Sequence, residues 1–342
     1  MAKAATEAAV LAELAKGLPS LLVRTEVERW PLGLLALDRA LGGGLPAGRI
    51  VEGHGPNDSG KTTLALEVAR DVLDFHRGKR KILYQDHEVA LDIAYGERIL
   101  RRPIGVVDRL KDLPAMWRAH EVLLFRPRSF EADDLVTRKL VGTGKVAMVV
   151  HDSIPSMVPE LEDEDDGLSP PPALVARALG TWLPRYRRLL SARRCVAWLV
   201  NHAKKQSIGY RGKEQFRPWV PSGGENPRFW SDVRLLIVGS RSPVYPERGR
   251  LVRVRVIKNK TASERRAEVP YHVDGRDGID RAQEAIELLA EARKGRWVER
   301  KEGRLFEAEG LKAPLSAVDL RRLLDGEEGR GWLRGVLGVK EA

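Results

Sequence analysis

The chain has 342 residues, 43% hydrophobic and 31% charged, which is enough apolar side chain to bury a full core in a water-soluble protein. Its 59 Lys and Arg outnumber 48 Asp and Glu, and the net charge of +11 points to a polyanionic partner, nucleic acid first. No apolar run reaches membrane-spanning length, Glu7 and Glu13 interrupt the alanine-rich start, and the one cysteine, Cys195, permits neither an internal disulfide nor a Cys-based zinc module. A cytoplasmic protein with no membrane partner is therefore expected.

In chain order, residues 6–18 place Ala9, Val10, Leu14 and Leu18 at helical spacing, and residues 21–28 read as a strand. This predicts a helix-strand arm over residues 1–30, suited to oligomerisation or to docking on its own core. Residues 30–41 form the next element, which Gly42, Gly43 and Gly44 end.

The best-specified stretch follows. Gly55-Pro56-Asn57-Asp58-Ser59-Gly60-Lys61-Thr62 has the spacing G-x-x-x-x-G-K-[ST] of a nucleotide-binding P-loop, with a short apolar strand before it and a helix opening at Thr63 after it. Its glycines let backbone N–H groups turn toward a polyphosphate, and the helix N-terminus adds partial positive charge. Lys61 is then expected to reach the outer phosphates of ATP, and the Thr62 hydroxyl to ligate Mg²⁺.

Residues 81–84, 146–150 and 196–200 are continuous apolar runs of strand length separated by helical stretches, the pattern of parallel strands buried on both faces. The fold class is α/β with a mostly parallel central sheet, and ligand chemistry is expected at the carboxyl ends of its strands. After the first run comes Glu88, a candidate general base; after the second, Asp152, a candidate Mg²⁺ carboxylate; after the third, His202, placed to sense a γ-phosphate. His87 and His151 flank this site, but their spacing matches no helical ligand pair, so Mg²⁺ rather than a transition metal is the expected ion.

Two long loops are expected next. Residues 159–172 are acidic and read as a solvated spacer. Residues 204–219 combine Lys204, Lys205, Arg211, Lys213 and Arg217 with Tyr210, Phe216 and Trp219, giving cations for phosphates and rings for base stacking, with glycines to keep the segment mobile. A basic surface loop without a nucleic-acid role is the competing reading.

Residues 233–238 and 251–257 predict an antiparallel strand pair, the second ending in Lys258-Asn259-Lys260, whose lysines share a face. Beyond Gly278, Asp280 caps a helix through Glu291, residues 296–307 read as a hairpin, and Ser316 with Asp319 forms a capping box. This is a small α+β C-terminal domain, residues 276–342, behind a core over 31–275.

Together these pieces resemble the RecA family of homologous recombinases from about Trp30 to Gly310. The most specific segments are residues 41–52 and 55–66, Glu88-Val89-Ala90-Leu91-Asp92, Ser222-Gly223-Gly224, and Val256-Ile257-Lys258-Asn259-Lys260. The resemblance implies a RecA-like P-loop ATPase core that binds single-stranded and double-stranded DNA and assembles as a helical filament. It gives Glu88 the position of the catalytic glutamate, Tyr95 that of the adenine-stacking aromatic, and Asp92 that of a partner of the adenine edge. Lys258 and Lys260 look like the pair that enters a neighbour's ATP site, and Phe229 occupies the interface aromatic position. Residues 159–172 and 204–224 correspond to the two DNA-binding loops, with Arg177, Gly223, Gly224 and Arg228 among the DNA-contacting positions. Bacterial members usually have glutamine where this chain has His202, and residues 101–121 look like an insertion. A RecA-fold hexameric helicase and a non-hydrolysing ATP- and DNA-binding accessory protein are the alternative functions.

Overall fold

The computed structural model describes residues 27–160, 172–210, 213–262, 267–300 and 303–338. The predicted helix over 6–18, nearly all of the strand over 21–28 and the acidic stretch 161–171 lie outside the described residues.

The chain opens with β1 (Arg29–Trp30), α1 (Leu35–Leu41) and β2 (Leu45–Pro46), and β1 pairs antiparallel with β2. Gly42 ends α1 in the left-handed conformation at φ 82°, donating to Arg39 and Asp38 carbonyls, as glycine does at no steric cost. The centre runs β3 (Ile50–Gly55), α2 (Lys61–His76), β4 (Lys81–Asp86), α3 (Ile93–Leu100), β5 (Ile104–Val106), α4 (Leu113–Ala119), β6 (Val122–Phe125), α5 (Phe130–Gly142), β7 (Val146–Asp152), α6 (Pro172–Arg193) and β8 (Val196–Tyr210). Next come β9 (Lys213–Pro221), α7 (Glu225–Trp230), β10 (Val233–Arg241), β11 (Gly249–Asn259), β12 (Glu268–Asp274) and β13 (Gly278–Ile279). The chain closes with α8 (Arg281–Glu291), β14 (Gly295–Arg300), β15 (Gly303–Ala308), α9 (Ala317–Asp325) and α10 (Glu327–Leu337).

One large sheet has the order β13-β12-β11-β10-β3-β8-β7-β4-β6-β5. From β10 to β5 every pairing is parallel, and β10 to β13 are antiparallel. The apolar runs sit at its centre because both of its faces are covered. Ile82, Tyr84, Trp198 and Val200 point into a core shared with α2, whereas Leu83, Ala197 and Leu199 point into one shared with α6.

The stretch expected as a mobile basic loop forms a ladder instead. Beyond the sheet β8 continues and pairs antiparallel with β9, with Ser207 opposite Phe216 and Tyr210 opposite Lys213. The physical reason is local: only Arg211 and Gly212 separate that last pair, and a two-residue Xaa-Gly connection between strand-forming runs is a hairpin signal. Residues 101–121 contribute the edge strand β5 and the short helix α4. The caps read from Asp280 and Ser316 are present, accepting from Gln283 N and Asp319 N.

The C-terminal segment docks on α1 through charge as well as a core of its own. Arg334 donates to the Leu32 carbonyl at 2.7 Å and to Asp38, whose carboxylate accepts the Leu32 N–H. Burial raises the Glu284 carboxyl to about 8, and it accepts from Ala36 N. At the start of α8, buried Arg281 bonds Glu67 at 2.7 Å and Asp71 at 3.0 Å, both on α2. Replacing Arg281 by methionine leaves those two buried carboxylates without this partner, so chemical denaturation of the variant should show a loss of about 3–5 kcal/mol. A loss below ~1 kcal/mol would mean that Arg281 does not anchor this junction.

Candidate functional site

Sheet register assembles the site. Gly55, the last residue of β3, lies level with His202 on β8, and Asp86 of β4 lies level with Asp152 of β7. The P-loop, Glu88, Asp152 and His202 therefore converge at one edge of the sheet. They line a cleft of about 480 Å³ together with Tyr95, Arg248, Arg250, Val252, Val273 and Gly275. A larger hollow of about 820 Å³ beside Arg293, Lys294 and Lys312 lacks this convergence of acid, base and hydroxyl.

The two motif glycines are fixed by packing. A Cβ on Gly55 would stand 1.9 Å from the Ile237 carbonyl oxygen, and one on Gly60 would meet Val252 at 2.8 Å with φ at +89°. Lys61, the first residue of α2, folds back to donate to the Pro56 carbonyl at 2.6 Å, and burial lowers its pKa. Thr62 Oγ1 donates to Asp152 Oδ2 at 2.8 Å, and Tyr84 donates to the same oxygen at 2.6 Å. Burial raises the Asp152 carboxyl, opposed by those two hydrogen bonds. A hydroxyl and a carboxylate converging at that distance are hard oxygen donors that fit Mg²⁺.

Glu88 stands beyond the end of β4, where Glu88 N bonds the Asp152 carbonyl at 3.3 Å. Its Oε1 accepts from His202 Nε2 at 2.7 Å and from Ser153 Oγ. The hydrogen bond from His202 is the largest of the effects that hold the Glu88 carboxyl down to about 2, outweighing a partial burial that acts the other way. The other ring nitrogen of His202 faces Asn57 Oδ1 at 2.7 Å, so one imidazole bridges the P-loop and the candidate base.

Tyr95 reaches the cleft with its hydroxyl 2.7 Å from Thr63 Oγ1, leaving its ring as a wall. Asp92 does not line the cleft: it caps α3, its Oδ1 accepting from Tyr95 N at 3.1 Å. Arg248 and Arg250 are lining residues that sequence reasoning missed. Their signal is the period of β11, on which Arg250 and Val252 share a face, but only the packing of Val252 on Gly60 aims that face at the P-loop.

Lys258 and Lys260 are elsewhere. Asn259 pairs with Val233, which pairs with Val51 near the start of β3, so both lysines lie at the edge of the sheet opposite the P-loop. Lys258 donates to the Arg228 and Phe229 carbonyls at 2.5 and 3.1 Å, and Lys260 lies 5.5 Å over the Phe229 ring, which is 64% exposed. Burial, and then Lys260, lowers the Lys258 pKa to about 8.

Of the expected DNA-contacting positions, Arg177 is exposed on α6, Lys204 is exposed on β8, and Arg228 pairs with Glu225 at 3.2 Å on α7. Gly223 and Gly224 adopt φ of +82° and +70° against α6. Lys205, Tyr210, Lys213, Phe216 and Arg217 lie along the β8–β9 hairpin, whereas Arg211 lies outside the described residues.

The Glu88 bond gives a direct test. Followed by ¹³C NMR, the Glu88 carboxyl should titrate near 2 in the wild type and move up toward the ordinary ~4.3 in His202→Ala. Because the folded value is depressed, the stabilisation from this bond is present above the ordinary value and is lost as pH falls toward 2. An unchanged midpoint in His202→Ala would remove His202 as the cause.

Residues 17–274 match the model of the RecA N-terminal domain. Protein RecA of Caulobacter vibrioides is 32% identical over 276 residues, covering 79% of this chain and 70% of the relative. Protein RecA of Geobacter sulfurreducens is 30% identical over 269 residues (78% and 72%), and that of Bordetella pertussis 31% over 273 (79% and 70%). By these matches the chain belongs to the RecA family.

Proposed function

We propose that this protein is an ATP-dependent DNA recombinase that polymerises on single-stranded DNA and promotes homologous pairing and strand exchange with duplex DNA. The observation that carries the reading is the division of cationic groups between the two edges of one sheet. Lys61 lines the cleft with Glu88 and Asp152, while Lys258, Lys260 and exposed Phe229 form a patch at the opposite edge. Four residues of β3 separate the two levels, roughly 13 Å at strand rise, so the patch suits a neighbour's cleft better than its own. In this reading residues 31–275 are the ATPase and DNA-binding core, 276–342 a small C-terminal domain, and 1–30 an oligomerisation arm.

The chemistry follows from the groups in the cleft. Backbone N–H groups of the P-loop and Lys61 bind the phosphates of ATP, and Tyr95 offers a face to the base. Thr62 and Asp152 would hold Mg²⁺, which when bound neutralises charge on the phosphate oxygens. Glu88, ionised over the whole working range, orients a water and accepts its proton as it attacks the γ-phosphate. His202, already bonded to Asn57 and Glu88, is placed to exchange one of those partners for the γ-phosphate. A neighbour's Lys258 and Lys260 add positive charge where negative charge develops, so turnover depends on assembly.

Glu88→Gln should lower ATP turnover by about 10²–10⁴-fold while leaving binding of a non-hydrolysable analogue within a few-fold. Near-normal turnover would remove Glu88 as the base, and a wild type with no DNA-stimulated phosphate release would favour the accessory-protein reading. Electron microscopy with single-stranded DNA and that analogue should show helical filaments whose formation falls steeply between roughly 50 and 200 mM salt. Closed rings would instead favour a helicase, and isolated monomers would sink assembly as the basis of function.

A further inference from the structure

A buried polar network stands directly behind the candidate site. Asp133, on α5, is fully buried, and its Oδ2 accepts from His87 Nε2 at 2.9 Å and from His151 Nδ1 at 2.7 Å. Its Oδ1 accepts from Thr137 Oγ1 at 2.7 Å, and Thr137 in turn accepts from Gln85 Nε2 at 3.0 Å. The far nitrogen of His151 meets the Tyr186 hydroxyl at 3.1 Å, and Tyr186 stacks on Trp182 with centroids 4.4 Å apart. Burial acts to raise the Asp133 carboxyl, but the charge and hydrogen bond of His151 and the bond from His87 hold it well below the usual carboxylate range.

The placement of the two histidines is what matters. His87 immediately precedes Glu88, and His151 immediately precedes Asp152, so one carboxylate ties together the strand ends that carry the candidate base and the candidate metal ligand. The same network reaches α6. Ten residues before Tyr186 on that helix, the Ala176 carbonyl accepts from Asn226 at 2.7 Å, and Gly223 and Gly224 pack against Leu179 and Ala176. Along the helix that is roughly 15 Å between the glycine turn and Tyr186.

The ligand atoms of His87, Asp133 and His151 all lie within 4.8 Å of one another, a set that would also suit a transition metal ion. Both nitrogens, however, are at hydrogen-bond distance from the same oxygen, and Thr137 and Tyr186 take the outer positions. Each facing group is satisfied without an ion.

We propose that Asp133 is a positioning residue for ATP turnover: it fixes Glu88 relative to Asp152 and, through His151 and Tyr186, couples both to the helix that borders the glycine turn at residues 223–224. The inference rests on the ATPase reading above. Asp133 touches no residue of the P-loop among its hydrogen bonds, so its loss should spare nucleotide binding and impair the chemical step. A path through α6 also separates this coupling from the one through His202, which reaches Glu88 from β8.

The test uses the full-length protein, with ATP turnover measured with and without single-stranded DNA. In Asp133→Asn the KM for ATP should stay within about threefold while kcat falls by about tenfold or more. Thr137→Val, which removes the hydrogen bonds to Asp133 and from Gln85 but keeps the carboxylate and both histidines, should move kcat the same way by a smaller factor, and it covers the case in which Asp133→Asn does not fold. Tyr186→Phe should reduce the ratio of DNA-stimulated to DNA-free turnover several-fold. The proposal is overturned by a folded Asp133→Asn variant, or by Thr137→Val when Asp133→Asn does not fold, with wild-type kcat. It is also overturned by an unchanged stimulation ratio in Tyr186→Phe, or by one equivalent of transition metal in the wild type that is lost from Asp133→Asn. Should the wild type show no DNA stimulation, the recombinase reading fails, and the DNA-free kcat of Asp133→Asn still decides the role of Asp133.

Discussion

The site depends on the register of four parallel strands. β3, β8, β7 and β4 bury apolar side chains on both faces, so a one-residue slip would send every side chain of a strand to the wrong core. With the register locked, Gly55 and His202 share one level and Asp86 and Asp152 share another, and the polar residues just beyond the apolar runs converge. The chemistry sits where the hydrophobic pattern stops. Its groups are then trimmed by short hydrogen bonds: Thr62 and Tyr84 on Asp152, His202 and Ser153 on Glu88.

This constraint also explains which parts could be read from the sequence. The P-loop was legible because its geometry is local: two glycines, a lysine and a hydroxyl within eight residues suffice. Glu88, Asp152 and His202 were legible because each follows a continuous apolar run, and in a parallel sheet the end of such a run is a place for ligands. The β8–β9 hairpin was hidden by composition, since lysines, arginines and glycines read as a loop although Arg211-Gly212 sits where a tight turn belongs.

The residues that were missed share one cause. Asp133 lies in Glu131-Ala132-Asp133-Asp134, which reads as the solvated first turn of a helix, and nothing local says that one of its acids turns inward to two histidines 46 and 18 residues away. The available signal was indirect: two histidines beside buried strand ends need acceptors. Arg248 and Arg250 enter the cleft only because the long β10–β11 pair folds Val252 against Gly60, a contact that strand periodicity leaves undetermined.

The same geometry leaves the cleft with one set of cations and puts Lys258 and Lys260 on the far edge beside Phe229. If the working site is shared between protomers, mixing two complementary variants should restore it. One variant, Lys61→Ala, lacks a working P-loop but keeps the far-edge lysines; the other, with Lys258→Ala and Lys260→Ala, has the reverse defect. Each alone should be nearly inactive on single-stranded DNA, and their mixture should recover DNA-stimulated ATP turnover at the interfaces that join an intact P-loop to an intact lysine pair. A mixture no more active than its components would contradict a site built across two subunits.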